Sequence, residues 1–142
     1  MYIITGGAGF IGSALAWGLN SRGIDDIVLV DRLGTDEKWR NMAPLRFHDY
    51  IDKDAFIALL EQDTFKKDIT AILHLGACSS TMERDAGYVM ETNFRYTARI
   101  AAWWEKHKAT RFIYASSAAT YGDGSNGYAD DHALLKRLRP MN

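Results

Sequence analysis

The strongest constraint on the fold is a glycine-rich turn that lies between an apolar run and a helical pattern at the start of the sequence. Segment 2–13 reads YIITGGAGFIGS, which places Gly6, Gly7, Gly9 and Gly12 directly after a short strand pattern. Strand, G-x-G-x-x-G turn and helix in that order are typical of the corner that binds a dinucleotide pyrophosphate. A β-carbon there would hold the backbone away from the phosphates, and the helix N-terminus supplies N–H groups. The four glycines are therefore predicted to contact a cofactor.

A second apolar run, Ile27–Val30, is typical of a parallel strand covered on both faces and ends at Asp31. Asp31 lies about 20 residues after the glycine turn, where such folds place a carboxylate on the adenine ribose; a strand-end turn residue is the alternative. The adjacent Arg32 favours NADP over NAD, because a guanidinium binds a 2′-phosphate with two hydrogen bonds. Lys38 and Lys53 either add charge to the same pocket or are solvated surface lysines.

Apolar runs alternate with helical patterns along the rest of the chain. The first helix is expected to stop at Gly23. Further elements are predicted as a strand at 45–47, a helix capped by Asp52, a strand at 71–75, a helix from about 88 to 107 and a strand at 111–115. Such alternation requires right-handed crossovers and a parallel sheet. We predict an α/β fold, a Rossmann-like doubly wound parallel sheet of about five strands truncated before the sixth, over residues 1–122. Residues 123–142 are predicted to be a loop and tail.

Composition fits one small globular domain. The 142 residues are 47% hydrophobic and 25% charged, with a net charge of −1, so neither nucleic acid nor a membrane is predicted as a partner. No apolar run approaches the roughly 20 residues that cross a bilayer, and the first strand leaves no room for a signal peptide. The single cysteine, Cys78, fits a reducing compartment and a structural role. We therefore expect a cytoplasmic protein without a metal site.

Several polar residues interrupt apolar patterns. Asn93 lies near the start of the apolar face of the long helix, and a buried asparagine must be hydrogen-bonded, to nearby backbone or to a bound group. His74 is expected to be a satisfied core side chain rather than a catalyst. Ser116 and Ser117 follow the fifth strand, where hydroxyls face the ligand crevice of α/β folds, although a Ser-Ser pair also suits a turn. The basic residues of 136–139 suit a phosphate partner or plain solvation.

Four segments carry a family resemblance. Residues 5–12 resemble the opening of the extended short-chain dehydrogenase/reductase family, which includes nucleotide-sugar epimerases and dehydratases. Residues 114–122 resemble the family's catalytic serine strand, and residues 93–97 resemble its helix asparagine motif. Segment 74–85 contains Gly-Ala-Cys-Ser-Ser-Thr and is similar to the members that epimerise ADP-heptose.

This resemblance implies a reaction and a set of site residues. NADP would take a hydride from the sugar and return it to the opposite face, and the substrate would be an ADP-heptose of lipopolysaccharide core synthesis. The full-length protein would be a homo-oligomer. Ser116 and Ser117 are both candidates for the catalytic hydroxyl, and strand alternation allows only one to face the nicotinamide. The residues implied to hold the cofactor, besides the four glycines, are Phe10, Ile11, Asp31, Arg32, Lys38, Lys53, Leu75, Gly76, Ala77, Cys78, Ser79, Thr92 and Asn93.

The sequence departs from the family at the acid–base pair. No Tyr-x-x-x-Lys occurs, since Tyr114, Tyr121 and Tyr128 are followed four positions on by alanine, serine and histidine. We therefore expect the N-terminal part of an enzyme about twice as long, inactive by itself. Two alternatives remain: another nucleotide-sugar epimerase or dehydratase, and a non-catalytic NADP-binding module.

Overall fold

The structure is a computed structural model that describes residues 1–65, 68–129 and 131–141, and its centre is a five-stranded parallel sheet. The strands run in the spatial order β3-β2-β1-β4-β5. The chain therefore winds outward from β1 in one direction and then in the other, which confirms the predicted doubly wound sheet and puts the topological switch point between β1 and β4. The strand bounds are β1 Tyr2–Thr5, β2 Ile27–Asp31, β3 Asp49–Asp52, β4 Ala71–His74 and β5 Arg111–Tyr114.

Helices cover both faces of the sheet. Alternation along each strand sends Ile3 to one face and Ile4 to the other, both fully buried. Phe56 and Ile100 pack on the face of Ile3, whereas Ala16 packs on the face of Ile4. The helices are α1 Phe10–Asn20, α2 Lys53–Glu61, α3 Ala86–Val89 and α4 Tyr96–Lys106.

The third strand lies later than predicted: residues 45–47 are not a strand, and β3 begins at Asp49. The prediction was wrong because the Asn20 side chain hydrogen-bonds the Arg46 backbone, whose N–H and carbonyl are then not available to a neighbouring strand. The Asn20 amide donates to the Arg46 carbonyl at 2.8 Å, and its carbonyl accepts from the Arg46 N–H at 2.8 Å. Leu45 and Phe47 still pack on the core, so the apolar pattern reported burial rather than strand pairing.

Both predicted helix-end signals act as expected. Gly23, at a φ of +76°, donates its N–H to the Asn20 carbonyl, and the Ile24 N–H bonds the Leu19 carbonyl. These two bonds define a Schellman motif with glycine at C′, after the last regular α1 residue. At α2, the Asp52 carboxylate accepts the Asp54 N–H and caps the helix.

The long helix predicted over 88–107 is present but not regular. It begins at Ala86, after the Asp85 cap, and ends at Lys106. Met90–Arg95 between α3 and α4 forms a π-helical turn, which apolar periodicity did not indicate. Such turns are frequent at functional sites, and this one contains Asn93.

Among the described residues beyond β5, the helical elements are two 3₁₀ turns, at Ala118–Tyr121 and His132–Arg137. The boundary at residue 122 stays a prediction, and Asp130 and Asn142 lie outside the described residues. Within the described ranges, no helix is long and apolar enough to cross a membrane.

Candidate functional site

A cavity of about 730 Å³ opens at the carboxyl ends of the parallel strands, over the switch point between β1 and β4. Ligands of doubly wound folds bind at this place. Every predicted site residue lines the cavity except Gly7, which lies beneath it, with its N–H bonded to the Val30 carbonyl at 3.1 Å. Lining residues that sequence reasoning missed are Thr5, Val30, Tyr88, Tyr96, Tyr114 and Ala115.

The glycine turn brings the start of α1 to the cavity wall. A β-carbon at Gly12 would collide with the carbonyl oxygen of Gly6, so only glycine lets helix and strand approach this closely. A β-carbon at Gly9 would meet only the Gly6 oxygen, at 3.2 Å. The absence of a side chain at Gly9 therefore leaves space in the cavity and is not needed for helix–strand packing. Gly9 is also the α1 N-cap and has no side chain that could cap the helix. The free N–H groups of the first helical turn are therefore available to an anion.

Asp31 at the end of β2 already holds three donors. One carboxylate oxygen accepts the Ala8 N–H at 2.9 Å, and the other accepts the Arg32 N–H at 2.7 Å and the Lys38 ammonium at 2.8 Å. Its side chain is 11% exposed. The carboxylate therefore fixes both the glycine turn and Lys38 at one end of the cavity.

Two further cations meet at a single carboxylate beside Asp31. Asp54, in the first turn of α2, accepts from Arg32 Nη2 at 3.2 Å and from Lys53 Nζ at 2.7 Å. These contacts, that to Lys53 above all, hold the pKa of the Asp54 carboxyl below its ordinary value. Asp31, Arg32, Lys38, Lys53 and Asp54 together are called the charge cluster below.

Tyr96, which sequence reasoning missed, orients Lys53. Its hydroxyl donates to the Lys53 carbonyl at 2.9 Å, and the Lys53 ammonium lies 5.5 Å from the centre of its ring. Burial raises the pKa of the Tyr96 hydroxyl, so Tyr96 stays neutral and does not serve as a base. The sequence did contain a signal for Tyr96. Tyr96 lies four positions after the predicted site residue Thr92, and residues four apart lie on the same side of a helix.

Asn93, in the π-helical turn, clamps the loop after β4. Its side-chain carbonyl accepts the Cys78 N–H at 2.7 Å, and its amide donates to the Cys78 carbonyl at 3.0 Å. Asn93 thus meets the requirement for a partner by bonding neighbouring backbone. The clamp fixes Leu75–Ser79 along the cavity floor.

His74 connects this clamp to β1 through a chain of hydrogen bonds. The Thr97 hydroxyl donates to the Asn93 carbonyl at 2.9 Å and so accepts from His74 Nε2, 2.8 Å away. The Thr5 hydroxyl accepts the Gly76 N–H at 3.0 Å and donates to His74 Nδ1 at 2.6 Å. We call Thr5, His74, Thr97 and Asn93 the relay; it holds His74 in the neutral form protonated at Nε2.

The relay also explains how a histidine is tolerated inside the sheet. His74 is fully buried, and burial lowers its pKa to about 4. It is therefore neutral at physiological pH and has both ring nitrogens hydrogen-bonded. The expectation of a satisfied core side chain is confirmed.

The two candidate serines after β5 differ in their contacts. The Ser117 hydroxyl oxygen accepts the Ala119 N–H at 3.2 Å and caps the 3₁₀ turn. Ser116 has no hydrogen-bond partner within the described part of the chain, and it lines the cavity. Ser117 lines the cavity as well, and its hydroxyl still has a proton to donate, so both hydroxyls are available to a ligand.

A parallel sheet of this order, with a glycine turn, a strand-end carboxylate and a cavity at the switch point, defines a dinucleotide-binding α/β protein. Residues 2–142 match the profile described as "NAD dependent epimerase/dehydratase family". The chain belongs to this family.

The chain is similar to a curated relative from Nitratidesulfovibrio vulgaris (strain DP4), named ADP-L-glycero-D-manno-heptose-6-epimerase. It is 52% identical over 142 residues, which are all of this chain and 44% of the relative. The chain thus spans less than half the length of this relative.

Solved structures of nucleotide-sugar epimerases share the fold. The Helicobacter pylori ADP-L-glycero-D-manno-heptose-6-epimerase superposes with a TM-score of 0.75 at 27% identity, over 99% of this chain and 45% of that one. UDP-glucuronic acid 4-epimerase from Bacillus cereus, in complex with NAD, gives 0.74 at 26% identity over the same shares. The fold is therefore common to epimerases that act on different sugars.

Proposed function

We propose that this chain is the N-terminal, cofactor-binding part of an ADP-L-glycero-D-manno-heptose 6-epimerase. The observation that carries the proposal is the match of the whole chain, at 52% identity, to an enzyme of that name. The proposed reaction interconverts the two C6 epimers of ADP-heptose in the cytoplasm, for lipopolysaccharide core synthesis. A homo-oligomer is proposed for the full-length enzyme.

Each part of the cavity receives a role in this proposal. The first turn of α1, with Gly9, Phe10 and Ile11, holds the pyrophosphate. The charge cluster holds the adenosine ribose and its 2′-phosphate. Leu75–Ser79 supports the middle of the cofactor, and Asn93 keeps that loop in place. NADP, when bound, supplies a transient hydride acceptor for C6 of the sugar.

Ser116 or Ser117 is proposed to hydrogen-bond the sugar hydroxyl, because both line the cavity and the cap at Ser117 leaves its hydroxyl proton free to donate. Neither serine accepts a proton near neutral pH. An acid–base group typically contributes ~10²–10⁴-fold, and the sequence contains no Tyr-x-x-x-Lys. The 142-residue chain is therefore expected to bind the nucleotide without epimerising ADP-heptose.

NADP is proposed over NAD because three cations, Arg32, Lys38 and Lys53, line one end of the cavity. A hydrogen bond to a charged group contributes roughly 1.5–3 kcal/mol, about a ten- to hundredfold preference. Titration of the chain with NADPH and NADH measures this preference. Arg32→Ala and Lys53→Ala should weaken NADPH binding and leave NADH binding nearly unchanged. Equal affinity for the two cofactors would overturn the assignment of NADP.

A gene fusion tests the activity. The chain is joined to the part of the N. vulgaris relative beyond the match, and the C6 epimers of ADP-heptose are followed by proton NMR. The fusion should be active, and either Ser116→Ala or Ser117→Ala within it should be at least tenfold slower, which identifies the serine that contacts the sugar. The relative's C-terminal part alone is the control.

Two fusions distinguish the alternatives, because the borrowed part contributes to the choice of sugar. Turnover of UDP-sugars by a second fusion, to the C-terminal part of a UDP-sugar epimerase, without turnover of ADP-heptose by the first would favour another nucleotide-sugar epimerase. A folded, NADPH-binding fusion without turnover of either sugar would favour a non-catalytic binding module.

A further inference from the structure

The three cations of the charge cluster line the cavity and are already paired with carboxylates. Asp54 bridges two of them, with one oxygen 3.2 Å from Arg32 Nη2 and the other 2.7 Å from Lys53 Nζ. These are two of the cations that the proposed function assigns to the 2′-phosphate. Any anion that enters this end of the cavity meets Asp54 as a competitor.

The charges at this end of the cavity balance without a ligand. Lys38 is paired with Asp31 at 2.8 Å, and Asp52 is the register partner of Asp31 on the neighbouring strand. Three cations therefore stand beside three carboxylates: Arg32, Lys38, Lys53, Asp31, Asp52 and Asp54. A phosphate carries close to two negative charges at neutral pH. It gains net attraction only where a carboxylate gives up its cations.

Asp54 is the carboxylate best placed to give way. Asp31 is 11% exposed and accepts two backbone N–H groups, so it is fixed in position. Asp52 caps α2. The Asp54 side chain, in contrast, is 63% exposed and bonds only the two cations among the described residues. A turn of this side chain into solvent breaks no contact with the backbone.

We propose that Asp54 is a specificity-determining residue, which competes with the cofactor's 2′-phosphate for Arg32 and Lys53. This inference rests on the proposed function. Binding of NADP exchanges one anion for another on the two cations, whereas binding of NAD leaves the bridge intact. Asp54 therefore lowers the preference for NADP and keeps the two cations paired when the site is empty.

Asp54→Asn tests the exchange, because asparagine has a similar size and lacks the charge. Affinities for NADPH and for the fragment 2′,5′-ADP should rise about two- to fivefold, the range expected for loss of exposed ion pairs. Affinities for NADH and 5′-AMP should stay unchanged. Isothermal titration calorimetry on the purified 142-residue chain measures all four.

The matched control is Asp49→Asn. Asp49 is exposed at the opposite end of β3 from Asp52, about 10 Å away by strand rise, and its loss changes the net charge equally. It should not alter the ratio of the NADPH and NADH affinities. A thermal melt of each variant establishes that both fold.

The affinities of the three variants separate the possible roles of Asp54. Weaker 2′,5′-ADP binding by Asp54→Asn would mean that Asp54 positions the cations, and would overturn the competition. An unchanged affinity, with Arg32→Ala and Lys53→Ala still weakening NADPH, would overturn this inference alone. If neither alanine variant affected NADPH, the assignment of the 2′-phosphate would fail and this inference would fall with it.

Discussion

At the scale of single residues, the site depends on positions where a side chain is either absent or fully bonded. Gly9 leaves space for a ligand, whereas His74 fills its space and uses both ring nitrogens. Gly9 is expected to affect binding and His74 to affect folding. A different measurement is therefore needed for each.

Gly9→Val is expected to abolish cofactor binding and leave the fold intact. The Gly9 backbone, at φ −75° and ψ 171°, is open to any residue, and a β-carbon meets only the Gly6 oxygen. The valine methyls would occupy the place proposed for the pyrophosphate. Calorimetry with NADPH and a circular dichroism spectrum test the two halves of this prediction.

Gly18→Ala, on the same helix, is the matched control. Its β-carbon would lie 3.8 Å from an Arg22 nitrogen, so binding should be unchanged. Normal NADPH affinity in Gly9→Val would show that the glycine turn is not the phosphate site.

His74 should make the stability of the fold depend on pH. Its pKa is about 4 in the folded state, against about 6.5 when unfolded. Below pH 6.5 the unfolded chain binds a proton that the folded chain rejects, so stability falls as pH falls from 6.5 to 4. The whole shift corresponds to about 3 kcal/mol. Urea unfolding at pH 7 and at pH 4.5 measures the loss.

A histidine-specific measurement keeps this prediction independent of the carboxylates. NMR titration of the ring protons should show one imidazole that stays neutral down to about pH 4. A His74 ring that becomes protonated near pH 6.5 would contradict the buried neutral form.

At the scale of elements, the relay joins β1, β4 and the long helix beneath the cavity. Local patterns located each of these elements separately. The sequence predicted that Asn93 and His74 would be bonded, and both are. It did not predict their connection through Thr97 and Thr5, because the partners of His74 lie 69 and 23 positions away. Long-range side-chain contacts leave no periodic trace in a sequence.

Thr97→Val should uncouple α4 from β4. Valine has nearly the shape of threonine but leaves the buried His74 Nε2 without its partner, a loss of about 1–3 kcal/mol. Cofactor affinity should also fall, because the Thr97 hydroxyl donates to the residue that clamps Cys78. Urea unfolding and NADPH titration give the two values.

Thr97→Ser keeps the hydroxyl and is the rescue variant for this prediction. It should bind NADPH as the parent chain does, even if the lost methyl lowers stability slightly. If Thr97→Val lost stability but bound NADPH normally, the relay would be structural only.

At the scale of the whole molecule, the parallel sheet and the position of the cavity could be predicted from local sequence patterns. Apolar run, glycine turn and helix located the β1–α1 corner, and the doubly wound sheet followed. The third strand was misplaced, because Leu45 and Phe47 are buried without pairing. The sequence placed Arg32 beside Asp31 and offered Lys38 and Lys53 for the same pocket, but it did not predict Asp54, because only the contacts at the start of α2 bring its carboxylate between Arg32 and Lys53.

The outer side of β5 leads to a prediction about association. Among the described residues, β5 pairs only with β4, and Ile113 and Tyr114 are 57% and 51% exposed. An unpaired apolar edge is a template for another chain. The purified chain should therefore associate as its concentration rises, measured by light scattering after gel filtration.

Ile113→Lys should reduce this association, because a charge on an edge strand opposes pairing with another copy. Trp17→Lys is the matched control. Trp17 lies on α1, away from β5, and is 64% exposed, so this substitution removes a comparable apolar surface elsewhere on the molecule. If association comes from the β5 edge, the first variant stays monomeric at concentrations where the second still associates. Equal effects of the two variants would assign association to general surface hydrophobicity. A parent chain that is monomeric throughout would show that this edge does not accept a second copy.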